Sequence, residues 1–151
     1  MMWKTHLLFG LVLGLLLMHY FNFNYWLVFV VMISALLPDL DTPFSWLGRK
    51  LKPVSNIINF IFGHRGMMHS LLFMVVITTV GYLYLRSYWM GIAIGFFSHL
   101  VLDMMNVMGV RLLWPLDFKV RGFLRANGLF EKLFFILLII IAVGLIYKTA
   151  L

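Results

Sequence analysis

Residues Met67–Met108 read MMHSLLFMVVITTVGYLYLRSYWMGIAIGFFSHLVLDMMNVM. Two apolar runs, Met67–Leu85 and Tyr88–Met108, are divided by one cation, Arg86. Each run approaches the ~20 residues that a bilayer-spanning helix needs. With so short a break between them, they describe a helical hairpin across a membrane, where each backbone must satisfy its own hydrogen bonds. Apart from Arg86, the ionisable groups sit at the hairpin's two ends. His69 opens the first run, and SHLVLD, with His99 and Asp103, lies near the close of the second. Residues four apart share a helix face, so His99 and Asp103 can hold one ion between them. Asn106 continues that face by another turn. The same spacing also suits a plain intrahelical His–Asp hydrogen bond.

Outward from this hairpin, three further apolar segments appear: Thr5–Tyr20, Tyr25–Leu37 and Leu129–Tyr147. The first two are separated only by FNFN, a polar, uncharged break that suits a tight turn. Between Asp41 and His64, the residues Val54, Ile57, Ile58 and Ile61 recur at helical spacing beside Pro53, which predicts a short helix lying on the membrane surface. Lys4 followed by an apolar run resembles a signal peptide, but no small-x-small cleavage site precedes Asn22 or Tyr25, and the segment is read as a retained span. The expected architecture is all-α and polytopic: one domain over residues 1–151, with about five transmembrane helices and one interfacial helix.

Composition agrees. Of the 151 residues, 64% are hydrophobic and 11% charged, and the mean hydropathy is +1.02, which excludes an ordinary soluble domain. There is no cysteine, so any metal must be held by nitrogen and oxygen. The net charge of +7 is carried mostly by short loops between spans. With the N-terminus in the cytoplasm, ten of the twelve Lys and Arg fall on the cytoplasmic side; only Arg86 and Lys148 fall outside. Such an imbalance sets orientation and predicts N-in, C-out. The basic and aromatic loop GVRLLWPLDFKVRGFLR is then a headgroup-facing segment rather than a nucleic-acid surface.

That topology also gathers the ligand-type side chains. His6 begins the first span, and Asp39 and Asp41 (in PDLD) follow the second. His64 and His69 (in GHRGMMHS) begin the third, and Asp103 lies about 8 Å from the cytoplasmic end of the fourth. His99 is one turn deeper. Seven residues thus share the inner half of the bilayer; an ionisable group at the bilayer centre costs about 2.5 kcal/mol or more. His19, at the opposite face, and Asp117, without an evident partner, are left out. In PDLD, a carboxylate can ligate while its neighbour orients a histidine; a helix end meeting water would use the same residues. Arg65 precedes His69 by four, which would place both on one face of a helix start, a natural seat for an anion.

In this order, TH, PDLDTP, GHRGMMHS and SHLVLDMMNVMGVRLLWPL resemble the YdjM-like family of bacterial inner-membrane proteins, described as membrane-bound metal-dependent hydrolases. The likeness covers Thr5 to about Leu116, and the family pattern falls on His6, Asp39, Asp41, His64, Arg65, His69, His99 and Asp103. The ligand order is also similar, by analogy only, to zinc-dependent phospholipase C enzymes. The resemblance implies a bacterial inner membrane and a hydrolase.

The expected function is metal-assisted hydrolysis at the cytoplasmic face. One or two divalent ions, zinc first, would be held by His6, Asp39, Asp41, His64, His69, His99 and Asp103. Asp41 would serve as general base or orienter, and Arg65 would hold an anionic substrate group. A phospholipid or another amphiphilic phosphoester fits a site near the headgroups, making membrane lipid the expected partner. A divalent-ion transporter, or a structural or regulatory protein whose metal stabilises the fold, uses the same residue types. A b-type haem fits the accompanying carboxylates poorly. Nothing in the sequence fixes an oligomeric state.

Overall fold

The computed structural model describes residues 2–150. Its helices are α1 (Trp3–Phe21), α2 (Tyr25–Ser34), α3 (Trp46–Lys50), α4 (Lys52–Phe62), α5 (Leu71–Leu85), α6 (Trp89–Met104) and α7 (Leu129–Ala150). Short 3₁₀ turns occupy Leu37–Asp41 and Met67–His69. Among the described residues, β pairing is confined to the isolated bridges Asn106–Leu124 and Val110–Val120. The chain is all-α, as its apolar runs predict.

The boundaries follow local chemistry. Asn22 closes α1 in the left-handed conformation that asparagine tolerates. Asn24 opens α2 by accepting the Leu27 N–H at 2.8 Å. FNFN is therefore a stop signal followed directly by a start signal. Ser45 caps α3 and Ser70 caps α5 in the same way. Pro53 lies in the first turn of α4, where its missing N–H costs nothing. Along α4, Val54, Ile57, Phe60 and Ile61 are exposed while Ser55 is buried, leaving the apolar stripe unpartnered by protein.

Three boundaries differ from the sequence expectation. The second segment leaves the α-helix at Ser34 rather than Leu37, because Pro38 initiates a 3₁₀ turn. The third begins at Leu71, not Met67, since Met67–His69 is also 3₁₀. The fourth stops at Met104, not Met108, and Asn106 turns the chain back to pair with Leu124. Asn106 is thus buried beyond the helix end and outside the helical face that carries His99 and Asp103 by spacing. Among the described residues, α1 and α7 are the two helices long and apolar enough to cross a membrane by themselves. The apolar α5 and α6 are shorter, about 22–24 Å at 1.5 Å per residue.

Helix α1 packs on α2, α6 and α7, and α6 packs on α2 and α5. Glycine makes the inner contacts close. A Cβ on Gly95 of α6 would collide with the Val31 carbonyl oxygen and come 2.8 Å from Ser34 Cβ. On α1, a Cβ on Gly10 would come 3.1 Å from Ala35 Cβ. Each of these glycines is four residues from a histidine, Gly95 before His99 and Gly10 after His6. Backbone approach through small residues is how apolar helices gain packing without a hydrophobic driving force. Here it also seats both histidine-bearing helices, α1 and α6, closely against α2. Helix α7 rests on α1 through Leu138 and Ala142 against Val12, and much of its remaining surface is exposed and aliphatic.

Candidate metal centre

The first turn of α1, the two 3₁₀ turns and the last turns of α6 meet at one end of the bundle. His6, His69, His99 and Asp103 are buried there, and Asp39 is 17% exposed at the edge. His99 Nε2 is 3.2 Å from His69 Nε2, 3.7 Å from Asp103 Oδ2 and 3.8 Å from Asp39 Oδ1. His6 Nε2 is 3.4 Å from Asp103 Oδ1, and His69 Nε2 is 3.5 Å from Asp103 Oδ2. Two overlapping triads result, His6–His99–Asp103 and Asp39–His69–His99, with His99 common to both. Tetrahedral ligands about 2.05 Å from an ion lie about 3.3 Å apart, so these separations suit a small divalent cation.

Tautomers sharpen the fit. His99 Nδ1 is 2.7 Å from the Ala35 carbonyl oxygen, which can only accept, so the proton is on Nδ1. His69 Nδ1 is 2.9 Å from Asp41 Oδ2, which likewise calls for a proton on Nδ1. When both rings are neutral, two Nε2 lone pairs therefore face each other across 3.2 Å. Such an arrangement is repulsive unless a cation or a proton lies between them. His6 stacks on His99 with ring centroids 3.9 Å apart; its buried Nδ1 has no hydrogen-bond partner, and its Nε2 meets only Asp103 Oδ1, at 3.4 Å. Unsatisfied buried nitrogen beside a carboxylate is also what a metal would satisfy.

Asp41 stands one layer out. It contacts His69 through Oδ2, His64 Nδ1 through Oδ1 at 2.8 Å, and accepts the Arg65 N–H at 2.7 Å. Burial raises its pKa, but the hydrogen bonds from His64 and His69 outweigh that effect and hold the carboxyl below the ordinary carboxylate range. A carboxylate that orients a histidine from behind is a recurrent support for a metal ligand. The PDLD turn is itself held in place: Asn59 Nδ2 donates to the Asp41 carbonyl at 2.7 Å, and Ser45 Oγ to the Asp39 carbonyl at 2.6 Å. Helices α3 and α4 therefore serve the centre by fixing this turn.

Of the seven residues expected as ligands, the structure brings five into the two triads and leaves Asp41 and His64 outside them. His64 points to Asp41 and is 38% exposed. Arg65 does not sit on a helix start. It occupies a turn with φ +60°, which sends its guanidinium back to within 3.4 Å of Asp103 Oδ2 and within 3.1 Å of the Gly109 carbonyl. Asp117 does have a partner, Arg111 at 2.8 Å. His19 lies against Tyr20 at the far end of α1. A cleft of about 470 Å³ opens beside the centre, with Asp39, His64, Arg65 and Arg49 in its wall and Trp3 and Trp46 stacked at its rim.

Sequence reading missed Glu131, the chain's single glutamate. It is wholly buried and accepts from Met2 N–H at 2.7 Å, Thr5 Oγ1 at 3.0 Å and Asn127 N–H at 2.5 Å. Its signal was available, since an acid inside an apolar run is costly without a use. Ser45 and Asn59 gave no comparable signal.

The family model for the YdjM inner membrane protein matches residues 1–150. Inner membrane protein YdjM of Escherichia coli (strain K12) and its namesake in Shigella flexneri are each 40% identical over 96 residues, covering 59% of this chain and 49% of theirs. The chain thus spans about half the length of these curated relatives. The uncharacterized protein YvsG of Bacillus subtilis (strain 168) is 35% identical over 121 residues, covering 78% of this chain and 76% of that one. No solved structure matches significantly.

Proposed function

The chain belongs to the YdjM family of bacterial inner membrane proteins, and from that premise and its buried His–Asp centre we propose that it is a metal-dependent hydrolase of a phospholipid or another amphiphilic phosphoester. The observation that carries the metal is the pair of Nε2 atoms of His69 and His99, 3.2 Å apart with both Nδ1 atoms committed elsewhere. A divalent ion, zinc first among candidates for nitrogen and oxygen donors, supplies Lewis acidity and a nucleophile usable at neutral pH. The His99 shared between the two triads suits either one ion or two.

The chain's residues do the remaining work. His6, His69, His99 and Asp103 would hold the ion, with Asp39 at the open edge of the centre. Asp41 fixes the His69 ring and its tautomer; with both oxygens engaged, it orients rather than acts as base. Arg65, in the cleft wall, takes the anionic group, and Arg49 adds a second cation nearby. A groove of about 690 Å³ supports a substrate with a hydrocarbon chain. Phe9, Leu13 and Leu17 line it on the α1 stripe that begins at His6. In the membrane, α2, α5 and α6 join α1 and α7 as crossings, with the N-terminus and the centre on the cytoplasmic side.

One observation favours a second reading. The two triads together offer five protein donors, more than the four that close a structural zinc site. The test is metal content by mass spectrometry, with hydrolysis of a panel of lipid phosphoesters, for the wild type and Asp103→Ala. We expect both metal and turnover in the wild type and neither in the variant. A metal-loaded, folded wild type that turns over none of the panel would favour the structural ion, and a metal-free wild type would remove both readings.

A further inference from the structure

The three histidines of the centre are not held alike. His69 is anchored through Nδ1 by Asp41, and His99 through Nδ1 by the Ala35 carbonyl. His6 has no such anchor. Its Nδ1 has no partner, its Nε2 faces only Asp103 Oδ1, a fellow member of the centre, at 3.4 Å, and its ring is fixed by stacking on His99 and by the position of the α1 backbone beneath it. Where α1 begins therefore decides where His6 sits.

The start of α1 has no cap of its own: the Met2 side chain makes no capping hydrogen bond. The cap comes from α7, 129 residues away in sequence. Glu131 Oε1 accepts both the Met2 N–H (2.7 Å) and the Thr5 hydroxyl (3.0 Å), at the cap and in the first turn of α1, just ahead of His6. Its other oxygen accepts the Asn127 N–H just ahead of α7. One carboxyl thus closes two helix N-termini, where backbone N–H groups lack partners and the helix dipole favours an acceptor. It is 0% exposed, and Thr5, the residue next to His6, is also fully buried. Below this junction, α7 touches α1 through Leu138, Ala142 and Phe134, so Glu131 is the polar link at the end of α1 that supplies a ligand.

We infer that Glu131 is a positioning residue for the metal centre: by capping α1 from α7 it sets His6 against His99 and Asp103. The inference rests on the metal-centre reading above. It makes α7, the most lipid-exposed helix, part of the site's construction without contributing a ligand.

The experiment is a double-mutant cycle on Co²⁺ affinity, measured by chelator competition on full-length protein in detergent, with His6→Ala, Glu131→Ala and the combination. Glu131→Ala is expected to weaken Co²⁺ binding by about tenfold or more, as loss of an outer support does. In the His6→Ala background, the same change should cost less than about twofold, because the ligand it positions is already gone. Pulsed EPR on Cu²⁺-loaded protein should count one coordinated imidazole fewer in Glu131→Ala, as in His6→Ala. Glu131→Gln keeps one acceptor for Met2 and Thr5, so it should retain most of the affinity and serves if Glu131→Ala does not fold. Equal losses from the Glu131 substitution in both backgrounds would overturn the inference and leave the metal centre standing. A wild type that takes up no Co²⁺ would overturn the metal centre and the inference with it.

Discussion

His69 and His99 present their Nε2 atoms to each other at 3.2 Å, and each has its opposite ring nitrogen within 2.9 Å of a fixed oxygen. The anchors differ in kind. His99 relies on a buried carbonyl, that of Ala35, left open where α2 ends before Pro38, and His69 relies on the carboxylate of Asp41. A carbonyl left over at a helix terminus has no partner inside its own helix, so His99 satisfies it while taking its own tautomer from it.

Asp41→Asn tests the other anchor. The amide keeps the shape of the side chain, but it offers one acceptor where the carboxylate offered two to His64, His69 and the Arg65 N–H. We expect zinc affinity to fall about 10–100-fold, the usual cost of losing an orienting partner, while His99→Ala abolishes binding. Isothermal titration against a zinc buffer measures both. An Asp41→Asn protein that binds zinc as tightly as the wild type would take Asp41 out of the centre's support.

Close packing of α2 and α6 gives a second test, through two glycines that should respond oppositely. Gly95→Ala replaces a hydrogen with a methyl that collides with the Val31 carbonyl, an overpacking cost of about 1–3 kcal/mol. The helix-propensity gain from Gly to Ala, about 1 kcal/mol, does not offset it. The displaced α6 would also lose the His99–Ala35 hydrogen bond, so the melting temperature and zinc affinity should fall together. Gly144→Ala on α7 meets nothing within 4 Å and should be neutral or slightly stabilising. A thermal-shift comparison in one detergent settles the pair; a stabilised Gly95→Ala would contradict the helix contact described above.

The site was more legible in the sequence than the backbone that builds it. Histidine and aspartate are conspicuous against aliphatic surroundings, and helical spacing alone paired His99 with Asp103. The loop charges, counted without reference to the ligands, placed the candidate residues at one end of the bundle. Periodicity could not see the two 3₁₀ turns, because Leu37 and Met67–Met68 continue the neighbouring apolar runs, and Pro38 marks a break without fixing its geometry. It therefore could not separate Asp39, which faces the centre, from Asp41, which stands behind His69. Arg65 was assigned to a helix face because residues four apart usually share one. Its positive φ breaks that rule and still brings it to Asp103. Glu131 escaped notice because it acts through the α1 backbone, a relationship that no spacing within α7 encodes.

Metal removal should lower the stability of the wild type in a way that ligand variants do not share. An ion that binds only the folded protein, at 100 times its dissociation constant, adds about 2.7 kcal/mol. Stripping it with a chelator should therefore lower the thermal midpoint of the wild type, and adding back zinc should restore it. Asp103→Ala, which removes the carboxylate shared by His6, His69 and His99, should melt at one temperature with or without the chelator. A midpoint in the wild type that ignores the chelator would argue against a tightly held ion.

Orientation can be tested without reference to metal. Five crossings with a cytoplasmic N-terminus put Lys4, Arg49, Lys50, Lys52, Arg65, Arg111, Lys119, Arg121, Arg125 and Lys132 inside, leaving Arg86 and Lys148 outside. The structure joins the largest of these basic segments directly to the centre's surroundings. Leu71 N–H donates to the Leu112 carbonyl, the Phe62 and Trp114 rings meet edge-on, and Gly109 accepts from Arg65. The loop and the centre must therefore face the same compartment. Alkaline-phosphatase fusions after Arg86 and after Leu151 should be active, and a fusion after Arg121 should be inactive; green-fluorescent-protein fusions should give the reverse pattern. An active phosphatase after Arg121 would place the loop outside, and with it the cleft, and would move any substrate from the inner leaflet to the outer.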